Sequence, residues 1–136
     1  MRRTDQRREA IFALYQQDVT GQPLDAALRG DARPFTRALA EGVAEHGEEL
    51  DALIERHAEG WTLERIAPLE RAILRVALLE LLHAGELPGE EPIPPEGAIE
   101  EAVEMAKAYC GAQAPGFVNG ILGAVLRDVR QNPSAS

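Results

Sequence analysis

Apolar positions recur along this chain at intervals of three and four almost from end to end, the signature of α-helices with one face turned inward. Ala10, Ile11, Leu14 and Tyr15 form the first stripe. Its helix is expected to start near Thr4 or Asp5 as a cap and to end before Gly21 and Pro23. After a short segment from Leu24 to Leu28 and the breaker GDARP, apolar residues return at Phe35, Leu39, Val43, His46, Leu50, Leu53 and Ile54. That spacing predicts one long amphipathic helix running through Gly47.

A turn from Trp61 to Ile66 leads to Pro68, which suits a first helical position because the N–H it lacks would have been unpaired there. The following stretch, PLERAILRVALLELLHAG, is apolar around almost its whole circumference, interrupted only by Glu70, Arg71, Arg75 and Glu80. Such a helix is buried between several others, so it is expected to be the central post of a bundle running to Ala84, with Gly85 as its stop. Arg71 and Arg75 are expected to pair with glutamates of neighbouring helices. Prolines 88, 92, 94 and 95 and Gly89 then forbid regular structure in ELPGEEPIPPE, a lid or spacer. Two more helical stripes follow: Ile99, Val103, Ala106 and Tyr109, stopping at Gly111, and then Phe117, Ile121, Leu122, Val125 and Val129. With no run of alternating β-branched residues, the pattern predicts an all-α, compact bundle of about seven helices in a single domain over 1–131, with 132–136 a flexible tail.

Size agrees with this. A chain of 136 residues makes one domain and buries roughly 68% of the surface its unfolded form exposes, so no cofactor is needed to hold it together. No apolar run is long enough to span a membrane, and MRRTDQRREAIF has neither the apolar core nor the cleavage site of a signal peptide, so a cytoplasmic location is expected. The single cysteine, Cys110, excludes an internal disulfide.

The formal charge of −9 argues against nucleic acid, but its distribution changes the picture. Arg2, Arg3, Arg7 and Arg8 fall in the first eight residues beside one acid, Asp5, whereas residues 86–104 hold seven glutamates and no base.

Catalytic chemistry is not visible. His46 and His57 would stand about 16 Å apart on a continuous helix, too far to share a metal, and His46, on the apolar stripe, reads as a hydrogen-bonded core histidine. Cys110, in AYCGAQ, reads as packing rather than as a nucleophile. GILGAV and GFVNG follow no strand and so form no dinucleotide fingerprint. The glutamates of 86–104 lack the loop pattern of a calcium hand and read as a solvated face. No enzyme, metal site or cofactor is expected. The arginines remain: Arg3 and Arg7 share a helix face, Arg8 adjoins them, and their guanidinium groups could meet successive phosphates while Tyr15 stacks an unpaired base. The bland alternative is a solvated helix start and a half-buried core tyrosine.

Three stretches, RREAIFALYQ, PLERAILRVALLELL and AIEEAVEMAKAYCGAQAPGFVNGILGAVL, together resemble the NusB family of transcription antitermination factors, in that order and over nearly the whole chain. The resemblance implies two packed helical subdomains, about 1–60 and 61–131, and a non-catalytic function: binding of boxA single-stranded RNA together with NusE, a small-subunit ribosomal protein, within an RNA polymerase antitermination complex with other Nus factors, notably on ribosomal RNA operons. It places Arg3 and Arg7, with neighbours Arg2 and Arg8, and Tyr15 and Phe117 on the RNA side, and Glu70 and Glu64 on the NusE side. Glu70 also fits a plain first-turn role against the helix dipole. Thr4 and Asp5, Gly116 and Glu100 depart from the family pattern, which implies a depleted basic face and weak intrinsic RNA affinity. The alternatives are a helical adaptor keeping only the NusE-type contact, and the NusB-like portion of a ribosomal RNA cytosine methyltransferase, although no βαβ pattern follows residue 130. Apolar surface at the bundle ends is compatible with a homodimer.

Overall fold

A computed structural model describes residues 2–30, 32–89 and 91–132. Among the described residues there are seven α-helices and no strand: α1 (Arg3–Thr20), α2 (Leu24–Leu28), α3 (Pro34–Glu45), α4 (Gly47–His57), α5 (Pro68–His83), α6 (Pro95–Tyr109) and α7 (Ala114–Gln131), with short 3-10 turns at Leu63–Arg65 and Ala84–Glu86. Asp31 of the GDARP breaker, Glu90 of the proline-rich loop and residues 133–136 of the expected tail lie outside the described residues. No described helix is long and apolar enough to cross a membrane.

The apolar faces meet as expected in one continuous core that runs from Ala10 in α1 to Val125 in α7. α5 is its post: Ile73, Leu74, Val76, Leu78 and Leu79 are fully enclosed, and the helix packs against α1, α3, α4, α6 and α7. α3 approaches it closely at Gly42, where a Cβ would stand 2.7 Å from Leu79 Cδ2. α1 stops at Gly21, which takes the left-handed conformation (φ 75°) that a side chain disfavours and donates its N–H to the Gln17 carbonyl.

Local boundaries differ from the expectation in several places. α1 begins at Arg3, with Arg2 rather than Thr4 or Asp5 at the cap position. The predicted long helix is two, divided at His46 (φ −98°, ψ 15°). Because the apolar residues on both sides keep one phase, with Phe35, Leu39 and Val43 before the break and Leu50 and Ile54 after it all buried, periodicity cannot reveal a single residue leaving the helical well. Gly47, a poor helix former, allows the break. His46 is correspondingly not a core residue; its ring is partly exposed and bonds Glu86. α5 ends at His83, so Gly85 falls inside the following 3-10 turn instead of terminating the helix. α6 ends at Tyr109, two residues before Gly111, with Cys110 extended as its cap.

Candidate nucleic-acid interface

The four leading arginines do not form one patch. Helix α1 turns Arg7 inward, onto α5 and α6: its Nε and Nη2 donate to the two carboxylate oxygens of Glu80 at 2.7 and 2.9 Å, and its Nη1 donates to Glu101 at 2.9 Å. Arg7 is 7% exposed and Glu80 4%. Burial works against the charge, but Glu80 and Glu101 outweigh it and hold the guanidinium above its ordinary pKa. Thr4 completes the cluster by donating its hydroxyl to Glu101. The expectation that Arg7 offers a guanidinium to phosphate is therefore corrected: a bidentate partner already occupies it, and Glu80 is the buried counter-charge that lets a carboxylate sit in the central helix.

Arg3 is half-exposed and lies flat against Phe35, its Cζ 3.9 Å from the ring centroid, with Nη2 donating to the Pro88 carbonyl at 3.0 Å. The proline-rich loop thus folds back on the start of α1. Gly89 makes this possible: its φ is 130°, and a Cβ there would lie 1.7 Å from Arg3 Nη2. Arg3, Phe35 and the loop line a cavity of about 420 Å³.

Arg8 points to a different place. Its Nη1 donates to Asp5 at 2.9 Å, Arg2 stands 3.6 Å from the same carboxylate, and its buried Nε has no hydrogen-bond partner. The hydrogen bond from Arg8 holds the Asp5 carboxyl below the usual range, with Arg2 adding to it. Arg8 lines a groove of about 850 Å³ between α1, α2 and α3, together with Phe12, Gln16, Arg29 and Arg33. Arg29 and Arg33 are exposed and form no ion pair with any described residue. Arg29 caps α2 in the left-handed region (φ 60°), a conformation that non-glycine residues seldom adopt. Neither is expected from the sequence pattern, in which GDARP, holding Arg33 and directly following Arg29, signals only a helix break; two arginines four apart around a turn are the available signal.

The remaining candidates separate from this groove or border it. Tyr15 is half-buried against the core. Phe117 meets Trp61 edge-on, 6.2 Å between centroids, and Arg65 lies 5.9 Å over the Trp61 ring. This brings Phe117 beside the turn that carries exposed Glu64, so those two residues, assigned to different partners by resemblance, occupy one neighbourhood. Glu70 is the third residue of α5, half-buried, and without a hydrogen bond or ion pair to any described residue. Burial raises its pKa, and its charge adds to the effect of burial in raising that of the Cys110 thiol. Arg71 and Arg75 pair with aspartates rather than the expected glutamates: Arg71 donates to Asp18 at 2.8 Å and to the Leu63 carbonyl, and Arg75 to Asp51 at 2.8 Å. The shorter acid fits because both arginines lie close to the packed seams of α5.

The structure is thus a helical scaffold with Arg8, Arg29 and Arg33 around one groove and, on its central post, a half-buried carboxylate, Glu70, that has no ion pair with any described residue. The model of the NusB family matches residues 4–127. The transcription antitermination protein NusB of Rubrobacter xylanophilus (strain DSM 9941 / JCM 11954 / NBRC 16129 / PRD-1) is 41% identical over 90% of this chain and 88% of its own length. Among solved structures, T. maritima NusB superposes with a TM-score of 0.82 at 31% identity, covering 94% of this chain and 92% of that one. A chain from the crystal structure of antitermination factors NusB and NusE in complex with dsRNA gives 0.76 at 26% identity, covering 93% and 96%. The chain belongs to the NusB family, a family of non-catalytic transcription antitermination proteins.

Proposed function

We propose that this protein is an RNA-binding transcription antitermination factor that binds boxA-type single-stranded RNA jointly with NusE, in an RNA polymerase antitermination complex with other Nus factors, notably on ribosomal RNA operons. The observation that carries the reading is the groove lined by Arg8, Arg29 and Arg33, with exposed Arg2 and lodged Arg3 at the start of α1, on a fold shared with a chain from a NusB–NusE–dsRNA structure. Phosphates would meet these guanidiniums, while Phe12, Tyr15 and Phe117 offer ring faces to unpaired bases. Glu70 serves the protein partner: a carboxylate already partly stripped of water and lacking a cation gains most from a basic side chain brought by another chain.

Five arginines, each releasing the counterions of one phosphate, predict a slope of log affinity against log salt of about −3.5, at about −0.7 per contact on a single strand. A titration of boxA RNA and a scrambled RNA across a salt series, with and without NusE, tests this. The proposal expects boxA to bind more tightly than the scrambled strand, most clearly with NusE present. Equal affinity for the two RNAs under both conditions contradicts it.

The adaptor reading, in which NusE binds and RNA does not, is favoured by one observation: Arg7 is consumed by Glu80 and Glu101 and Arg8 is shared with Asp5. In that case NusE binds while neither RNA does.

A further inference from the structure

The break at His46 and the end of α5 bring two histidines and two glutamates together in a place that neither RNA nor a protein partner accounts for. The imidazoles of His46 and His83 stack with centroids 3.8 Å apart and planes 12° from parallel. Glu49, in the first turn of α4, lies between two of their nitrogens: His83 Nε2 is 2.6 Å and His46 Nδ1 3.9 Å from its Oε1. Glu86, in the 3-10 turn, takes the two opposite nitrogens, His46 Nε2 at 3.0 Å on Oε1 and His83 Nδ1 at 2.9 Å on Oε2. The ligand atoms of His46, Glu49 and His83 all lie within 4.8 Å of one another.

Two imidazoles and a carboxylate on one side, with a second carboxylate on their far nitrogens, are the donor types that divalent transition metals take. We propose that His46 Nδ1, His83 Nε2 and Glu49 Oε1 bind one divalent ion of the zinc type, with Glu86 accepting the remaining N–H of both rings. Zinc takes imidazole nitrogen at about 2.0–2.1 Å and carboxylate oxygen at about 2.0–2.2 Å, so three atoms already within 4.8 Å close on it by small side-chain rotations. The stacked rings must open from parallel to aim both nitrogens at the ion, a movement that side chains at a partly exposed surface can make. Glu86 then fixes both tautomers, since a ring whose far N–H is held by a carboxylate presents its other nitrogen as a lone pair. Charge also fits. Glu45 lies beside His46 and Glu86, and the carboxylates of Glu45, Glu49 and Glu86 attract a dication, which takes the place of the proton that joins His83 Nε2 to Glu49 and releases it to solvent. Three protein ligands leave a fourth position for water or a ligand from outside, as in accessible rather than closed zinc sites.

Binding to the untagged full-length chain, titrated by calorimetry with zinc and followed by the ring ¹⁵N resonances of its histidines, tests the assignment. The expected result is one equivalent of zinc, with shifts confined to His46 Nδ1 and His83 Nε2. The His46→Gln/His83→Gln variant should lose the binding, Glu86→Gln should weaken it by about ten- to a hundred-fold, and His57→Gln, whose ring pairs with Asp128, should leave it unchanged. Circular dichroism of each variant establishes that it is folded. Absence of binding at micromolar zinc, binding that survives the double substitution, or shifts centred on His57 would each overturn the proposal.

Discussion

Arg7 shows how a residue's chemistry depends on what the fold places opposite it. A guanidinium in a basic N-terminal run reads as a phosphate ligand, yet here it joins α1 to α5 and α6 through Glu80 and Glu101. Nothing local announces this, because Glu80 is 73 residues away in sequence. The charged interruption of the central helix was legible, but its partner was not. Breaking a buried pair leaves a bare charge behind, so Arg7→Ala is expected to cost about 3–5 kcal/mol, measured by urea unfolding. Arg7→Leu combined with Glu80→Leu should recover much of that loss, because apolar replacement of both partners removes the stranded carboxylate. If Arg7→Ala instead leaves stability unchanged and weakens only RNA binding, the burial described here is not the role of Arg7. Glu70 is the converse case. Its pKa is raised by burial, so its folded state binds a proton more readily than its unfolded state. The stability it contributes is present below its ordinary pKa and declines as pH rises through the raised value. Glu70→Gln should therefore flatten that part of the stability profile, a comparison made by thermal unfolding between mildly acidic and neutral pH.

At the scale of elements, the helices were legible because a period of three to four survives any packing arrangement. Their ends were less so. α3 and α4 share one apolar phase across His46, so the break lies in the backbone of that one residue, whose ring stacks on His83. The proline-rich stretch is irregular only in its middle: Glu86 belongs to a 3-10 turn and α6 already begins at Pro95, where a proline fits the first helical turn; its contact with α1, through the Pro88 carbonyl and Arg3, depends on tertiary approach. Gly89→Ala tests that contact: the added methyl would occupy the site of Arg3 Nη2 and the backbone would be held at a φ that favours glycine. Release of the Arg3 side chain is expected, seen as loss of the ring-current shift that Phe35 imposes on it, while the overall helix content stays as it is. An unchanged Arg3 environment would show that the loop does not lodge it.

For the whole molecule, the net charge of −9 obscures a division of labour. Arg8, Arg29 and Arg33 gather around the groove between α1, α2 and α3, and Glu70, which has no ion pair with any described residue, stands at the start of α5. The leading arginines signal the basic end, but two of the groove's three arginines are Arg29 and Arg33, around a turn whose sequence signals only a helix break. The central claim is that these are two separable surfaces, one for RNA and one for a protein partner. The most direct measurement compares Arg29→Ala/Arg33→Ala with Glu70→Lys in parallel titrations against boxA RNA and NusE. The arginine variant is predicted to reduce the salt slope for RNA from about −3.5 to about −2 and to bind NusE as before, whereas Glu70→Lys should lose NusE and keep its direct RNA affinity. If both variants lose both partners equally while remaining folded, or if the arginine variant keeps the full salt slope, the account is contradicted.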